Sequence, residues 1–390
     1  MRKSVLFFSF VFSLLWVETE GMTPQELNDA LINRSGYFIL TVTRDYTEND
    51  NTILRKEDFL PVLDKIDEIL SNVHQPVFVV FNEYFCSRKT LEYSSLREFL
   101  GLLEEKSPTN PKAIYWVNFL HKLEKGISET ELDNLKRYIS PLDDFLIEED
   151  GSRQSWPPLG FCRNDNSSPT VNNNPQKVFA NETFVITNGA TISSYRKSTY
   201  CNEDNALLSL GWSYYYGYAA DTLLAPENQL ALSIHQNVYT DICLDVNSQI
   251  RRWTDRILKN EALATYQAAI EGRQVLEQIL KPSREGSIQS FSLHIIQSNS
   301  TRIRDEIGFF PEHQVVVQSD PSASNVFLLQ VPNHVKFFKT KHPTPKNWVY
   351  ELNIMSMCTP YKVAKEEHLD VELPSLISVN FTFLLYNIGR

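Results

Sequence analysis

Val77-Phe78-Val79-Val80-Phe81-Asn82-Glu83-Tyr84, preceded by Pro76, is the stretch from which the fold can be read. Its five leading residues are all β-branched or aromatic and do not alternate with polar ones. That suits a strand covered on both faces, as in a parallel sheet with helices packed over it. Upstream, Tyr37 to Thr43 is a short β-rich run, and Asp58 to Leu70 places Leu60, Val62, Leu63, Ile66, Ile69 and Leu70 at the spacing of an amphipathic helix. Downstream, a second helical pattern covers Ser94 to Glu105, and Ala113 to Leu120 reads as a strand. Ser128 to Tyr138 then opens with the capping-box pair Ser128 and Glu131. Strand and helix alternate, which predicts an α/β domain.

Periodicity is lost over residues 140–176, where Pro157, Pro158 and a run of asparagines mark a polar insertion loop. Strand-like segments resume at Val178 to Thr187, at Ala190 to Arg196 and, after an aromatic loop, over Leu230 to Ile242. A helix is expected at Thr254 to Leu280, and strands at Ser290 to Gln297, Gln314 to Gln318 and Val326 to Val331. These elements predict one large domain over residues 22–285, with residues 286–390 completing or extending it.

The N-terminus carries Arg2 and Lys3, then an apolar run from Val5 to Val17, then small residues at Thr19 and Gly21. Such a run is short for a bilayer span and reads as a leader, residues 1–21, cleaved after Gly21, which predicts an exported protein, periplasmic or extracellular. No later stretch is long enough to span a membrane. A mature chain of about 370 residues can bury a substantial core. It has the aromatics to do so, with 23 Phe and 17 Tyr among 390 residues. The formal charge of -11 opposes binding to phosphate backbones, so nucleic acid is not an expected partner. Five cysteines leave one over after pairing. If Cys243 is the odd one, Cys86, Cys162, Cys201 and Cys358 could form two disulfides in any of three connectivities. Glycosylation sequons begin at Asn33, Asn166, Asn181, Asn299 and Asn380.

The chain has no GxSxG, Walker A, GxGxxG or HExxH motif, and its eight histidines stand singly, so neither metal nor cofactor is expected. Three short segments stand out instead. Each closes an apolar strand with one reactive residue, at the sheet edge where α/β sites assemble. They are Phe78 to Tyr84 with Glu83, Ser194-Tyr195-Arg196-Lys197, and Thr240-Asp241-Ile242-Cys243-Leu244-Asp245. A thiol near a base and a cation suits a nucleophile, because a free cysteine is mostly protonated at neutral pH and needs a base or a neighbouring cation to attack efficiently.

In type and order these segments resemble the three signatures of the nitrilase, or carbon-nitrogen hydrolase, superfamily. The 46 residues from Lys197 to Cys243 are near the family's usual spacing, while the 114 from Glu83 to Lys197 are longer, the polar loop at 140–176 accounting for the excess. The resemblance implies an αββα sandwich, commonly a homodimer, acting on a small-molecule amide or nitrile. It also implies Glu83 as general base, Cys243 as nucleophile, Lys197 as oxyanion donor and the backbone N-H of Leu244 as a second donor. A second family carboxylate would fall at Glu203, although the segment after Lys197 departs from the usual pattern. Tyr84, Trp212 and Tyr214 are the expected pocket residues, the last two from an aromatic run that could equally be core. Two rivals stay open: an acyltransferase of the same superfamily, and a secreted binding or effector protein that kept the fold without the activity.

Overall fold

The computed structural model of the chain describes residues 21–45, 52–124, 178–197, 213–214, 221–243, 292–299, 314–322, 324–329, 358–374 and 377–389. Helix α1 (Pro24–Asn33) starts on a capping box, with Thr23 Oγ1 accepting from Glu26 N at 3.1 Å, and ends at Arg34 in the left-handed region. The chain then builds β1 (Tyr37–Arg44), α2 (Lys56–Leu70), β2 (Val77–Phe81), α3 (Tyr93–Lys106) and β3 (Ala113–Lys122). Strands β1, β2 and β3 lie parallel, with Leu40 opposite Val79 and Val79 opposite Tyr115. Beyond β3 the sheet turns antiparallel through β4 (Val178–Thr187), β5 (Ala190–Arg196) and β7 (Asp221–Leu223), with the two-residue β6 (Ser213–Tyr214) beside β4.

A second sheet is built from β8 (Val238–Ile242), β9 (Leu293–Gln297), β10 (Gln314–Ser319), β11 (Asn325–Leu329) and β12 (Cys358–Pro360). Its first three strands are parallel. Strand β14 (Ser378–Ile388) returns to the first sheet and pairs antiparallel with β1 over its whole length, and β13 (Val363–Glu372) forms the edge outside it. Edge-to-edge pairing is discouraged there by the charges on β13, where Lys365, Glu366, Glu367, His368 and Asp370 follow closely on one another.

Two apolar layers explain the run at 77–81. Val77, Val79 and Phe81 pack with Leu40, Val42 and Phe119 against Phe59, Val62, Leu63 and Ile66 of α2 and Leu96 and Phe99 of α3. Phe78 and Val80 point the other way. With Tyr37, Ile39, Ile114 and Trp116 they meet Leu293, Ile295, Val315 and Val317 of the second sheet. The molecule is therefore a mixed α/β sandwich of two sheets face to face, with α2 and α3 over the outer face of the first. The expected helix at Thr254 to Leu280, the Ser128 to Tyr138 helix, the leader and the polar loop lie outside the described residues.

Two readings are corrected. Leu230 to Ile242 is not one strand: Gln229–Asn237 is a helix, α4, and only Val238–Ile242 is extended. Asn228 caps it by accepting from Leu230 N and Ala231 N, and Leu230, Ala231 and Ile234 bury one helical face. A local cap and a tertiary face overrode the β-like composition. Cys86 is a buried free thiol inside the helix-facing core, which removes it from the two-disulfide scheme. Burial pushes that thiol far above its ordinary range. Asn181 and Asn299, which begin two of the five sequons, are buried.

Candidate active site

Strands β1, β2, β3 and β5 of the first sheet and β8, β9 and β10 of the second end at the same edge of the sandwich, and the chemistry-bearing residues gather there. The inter-sheet face changes character as that edge is approached. Successive inward positions read Ile114, Trp116, Asn118 on β3, Leu293, Ile295, Gln297 on β9, and Val315, Val317, Ser319 on β10. The antiparallel β4 reads the reverse, Asn181, Thr183, Val185. A dry apolar interface thus becomes a buried polar one.

Glu83 follows β2 by two residues and Lys197 follows β5 by one. Both side chains have 0% exposure, and Lys197 Nζ donates to Glu83 Oε1 at 2.7 Å. Asn181 Nδ2 donates to the same oxygen at 2.9 Å, and the Lys197 backbone N-H is held by Asn181 O at 2.8 Å. Tyr84 is buried in the left-handed region at φ 59°. Its ring lies against Lys197 Nζ at 5.7 Å, and its N-H donates to Asn118 Oδ1 at 3.0 Å. The preceding Asn82 holds the turn, accepting from Arg44 N and donating to Glu83 O.

Cys243 ends β8 in the left-handed region at φ 50°, where a non-glycine residue costs free energy and is found where a turn must aim a side chain. Cys243 is a buried thiol there. Its N-H donates to Gln297 O at 2.8 Å, and it packs with Ile242 and Tyr195. Gln297 in turn donates from Nε2 to Phe81 O at 2.7 Å and to Trp116 O at 3.1 Å. The cysteine turn is thereby tied to the strands that carry the Glu83 turn. Behind Cys243, Asp241 Oδ2 accepts from His294 Nε2 at 2.9 Å and Asp241 Oδ1 from Tyr195 O-H at 3.5 Å.

On the opposite face of β4 and β5, Glu182 receives His121 Nε2 at 3.1 Å and Arg196 Nε at 3.3 Å. Burial alone would raise its carboxyl, but Arg196, His121 and the Ser194 side chain outweigh burial and hold it down at about 2. This network grips the two strands that deliver Asn181 and Lys197.

The fold therefore brings Glu83, Tyr84 and Lys197 into one buried cluster and ties the Cys243 backbone to the same corner. Glu203, Trp212 and Leu244 lie outside the described residues, and Tyr214 is described only as strand backbone in β6. Asn118, Asn181, Thr183 and Gln297 were not anticipated. Their signal was a polar residue interrupting the inward-facing set of an otherwise apolar strand.

No family model matches the sequence, and no curated protein is similar to it. Solved structures similar to the chain include a carbon-nitrogen hydrolase from Helicobacter pylori. It is 8% identical over 76% of this chain and 82% of that one, at a TM-score of 0.36. Another is Nit3 of Saccharomyces cerevisiae, a member of branch 10 of the nitrilase superfamily, 9% identical over 75% of this chain and 82% of that one, at a TM-score of 0.30.

Proposed function

We propose that the protein hydrolyses a carbon-nitrogen bond of the amide type in a small molecule, through a thioester on Cys243. The observation that carries this reading is the fully buried Glu83–Lys197 pair at the edge where the Cys243 turn is anchored. A buried ion pair is a poor device for stability, because desolvating both groups offsets their attraction. Chemistry accounts for its presence at the edge where a strained cysteine turn is anchored.

In the proposed cycle Glu83 accepts the thiol proton as Cys243 sulfur bonds to the amide carbon, and the carbonyl electron pair moves to oxygen. Lys197 and the backbone N-H of Leu244 hold that oxyanion, each such donor contributing roughly 10² to 10³ in rate. Collapse breaks the carbon-nitrogen bond, and the proton on Glu83 goes to the departing amine or ammonia. Water then attacks the thioester with Glu83 again taking a proton, releasing the carboxylic acid and restoring the thiol. Glu203 would serve as a second carboxylate, and Tyr84, Trp212 and Tyr214 would contact the substrate. The basic and apolar residues of the first 21 positions support export as part of the same proposal.

The test is alkylation of the folded protein by iodoacetamide from about pH 5.5 to 9, read site by site by mass spectrometry. Cys243 is expected to label near neutrality, with a rate that Glu83→Gln and Lys197→Met both alter, while buried Cys86 labels only after denaturation. Ammonia release from an amide panel then follows the same variants. Labelling of Cys243 only near pH ~8.5 or above, or only in denaturant, would leave an inert structural cysteine.

A further inference from the structure

A chain of buried hydrogen bonds joins the cysteine turn to the Glu83 carboxylate; Asn118 donates toward both of its ends, and the direction of each bond is set by backbone atoms that cannot reverse. Gln297 Nε2 faces two carbonyls, Phe81 O and Trp116 O, so its Oε1 is left as the acceptor. Thr183 O-H donates to that oxygen. With its only proton committed, Thr183 Oγ1 accepts from Asn118 Nδ2 at 3.3 Å. The other end of Asn118 is fixed independently, since Oδ1 accepts from Tyr84 N at 3.0 Å. Asn118 Nδ2 also donates to Asn181 Oδ1 at 2.7 Å, which turns Asn181 Nδ2 toward Glu83 Oε1. Asn118, Asn181, Thr183 and Gln297 all have 0% exposure. In so dry a place a reversed amide would set donor against donor and leave buried polar groups unmade.

We propose that Gln297 is the positioning residue of the site, and that the relay Gln297–Thr183–Asn118–Asn181 transmits one geometry to both the nucleophile and the base. The main chain of Gln297 holds the Cys243 N-H while its side chain starts the relay that ends on Glu83. The backbone of the Cys243 turn and the Glu83 carboxylate thus share one anchor in the second sheet. Such shared control matters because misplacing reacting groups by about 1 Å can cost 10²-fold in rate. This inference rests on the Glu83/Cys243 reading above.

The relay is cut at its middle by Thr183→Val, which keeps shape and removes the hydroxyl, and restored by Thr183→Ser. Gln297→Glu removes the donor that sets the direction. Cys243 alkylation is measured across pH for each, beside the wild type and Glu83→Gln, well below the melting temperature of every variant. The expected result is a Cys243 rate at neutral pH lowered roughly tenfold or more in Thr183→Val and Gln297→Glu, with a displaced pH midpoint, and near wild type in Thr183→Ser. A merely structural role would lower melting temperatures and leave the pH midpoint in place; that result, with a wild type that still depends on Glu83, overturns the relay alone. A wild type that does not label near neutrality overturns both readings. If Thr183→Val fails to fold, Gln297→Glu and Asn118→Asp against Thr183→Ser decide the question by the same midpoint.

Discussion

Lys197 and Glu83, 114 residues apart in the chain, share a hydrogen bond of 2.7 Å with no solvent contact on either side chain. The sheet makes this possible by ending β2 and β5 at one edge, so two residues that each close a strand meet without a designed loop between them.

The first expectation concerns that pair. Removing one partner leaves a charge buried with its counter-charge gone, so Lys197→Met and Glu83→Gln should each lower the unfolding free energy by about 3–5 kcal/mol. The double variant should lose much less than the two singles together, because neither charge is then left stranded. Urea denaturation measures this. Additive losses would mean that the two groups do not interact in the folded state.

The Cys243 turn gives a second expectation. At φ 50° a side chain is strained and glycine is not. Cys243→Ala and Cys243→Gly both remove the thiol and should abolish hydrolysis, yet the glycine variant should be the more stable by about 1 kcal/mol. At an ordinary strand position the order would be the opposite. Thermal melting of the two variants side by side distinguishes the cases.

Glu182 supplies a dependence on pH. Its carboxyl is held at about 2, below the ordinary 4.5, so ionised Glu182 favours the folded state. That contribution is present in full above pH 4.5 and is lost as pH falls from there through about 2. The wild type should therefore lose on the order of 3 kcal/mol of stability from this group across that window. Glu182→Gln should be less stable near neutrality and flatter in its acid dependence. Equal slopes for the two proteins between about pH 5 and 2.5 would remove Glu182 from the account.

Much of this arrangement is legible in the chain. The strands at 37–44, 77–81, 113–122, 178–187 and 190–196 and the helices at 56–70 and 93–106 all fall within a few residues of where periodicity places them. Each repeats a strong local pattern. Helix α4 was missed because Leu230 to Ile242 holds a helix and a strand back to back, and only the Asn228 cap marks its start. Helix α1 has only the Thr23 and Glu26 capping box as its local mark, directly after the apolar N-terminal run. The place of β14 beside β1 could not be read at all, because pairing across more than 300 residues leaves no trace in local sequence.

The sequence by itself determined which residues carry reactive groups and that each closes an apolar strand, because strand ends and burial follow from local composition. Only the tertiary structure decided what those groups touch. It put Asn181 on Glu83, made Gln297 the common anchor of the Cys243 and Glu83 turns, and sealed Cys86 in the helix-facing core. The reason is physical: hydrogen-bond direction and desolvation belong to the packed interface between two sheets, and no segment of the chain holds that interface alone.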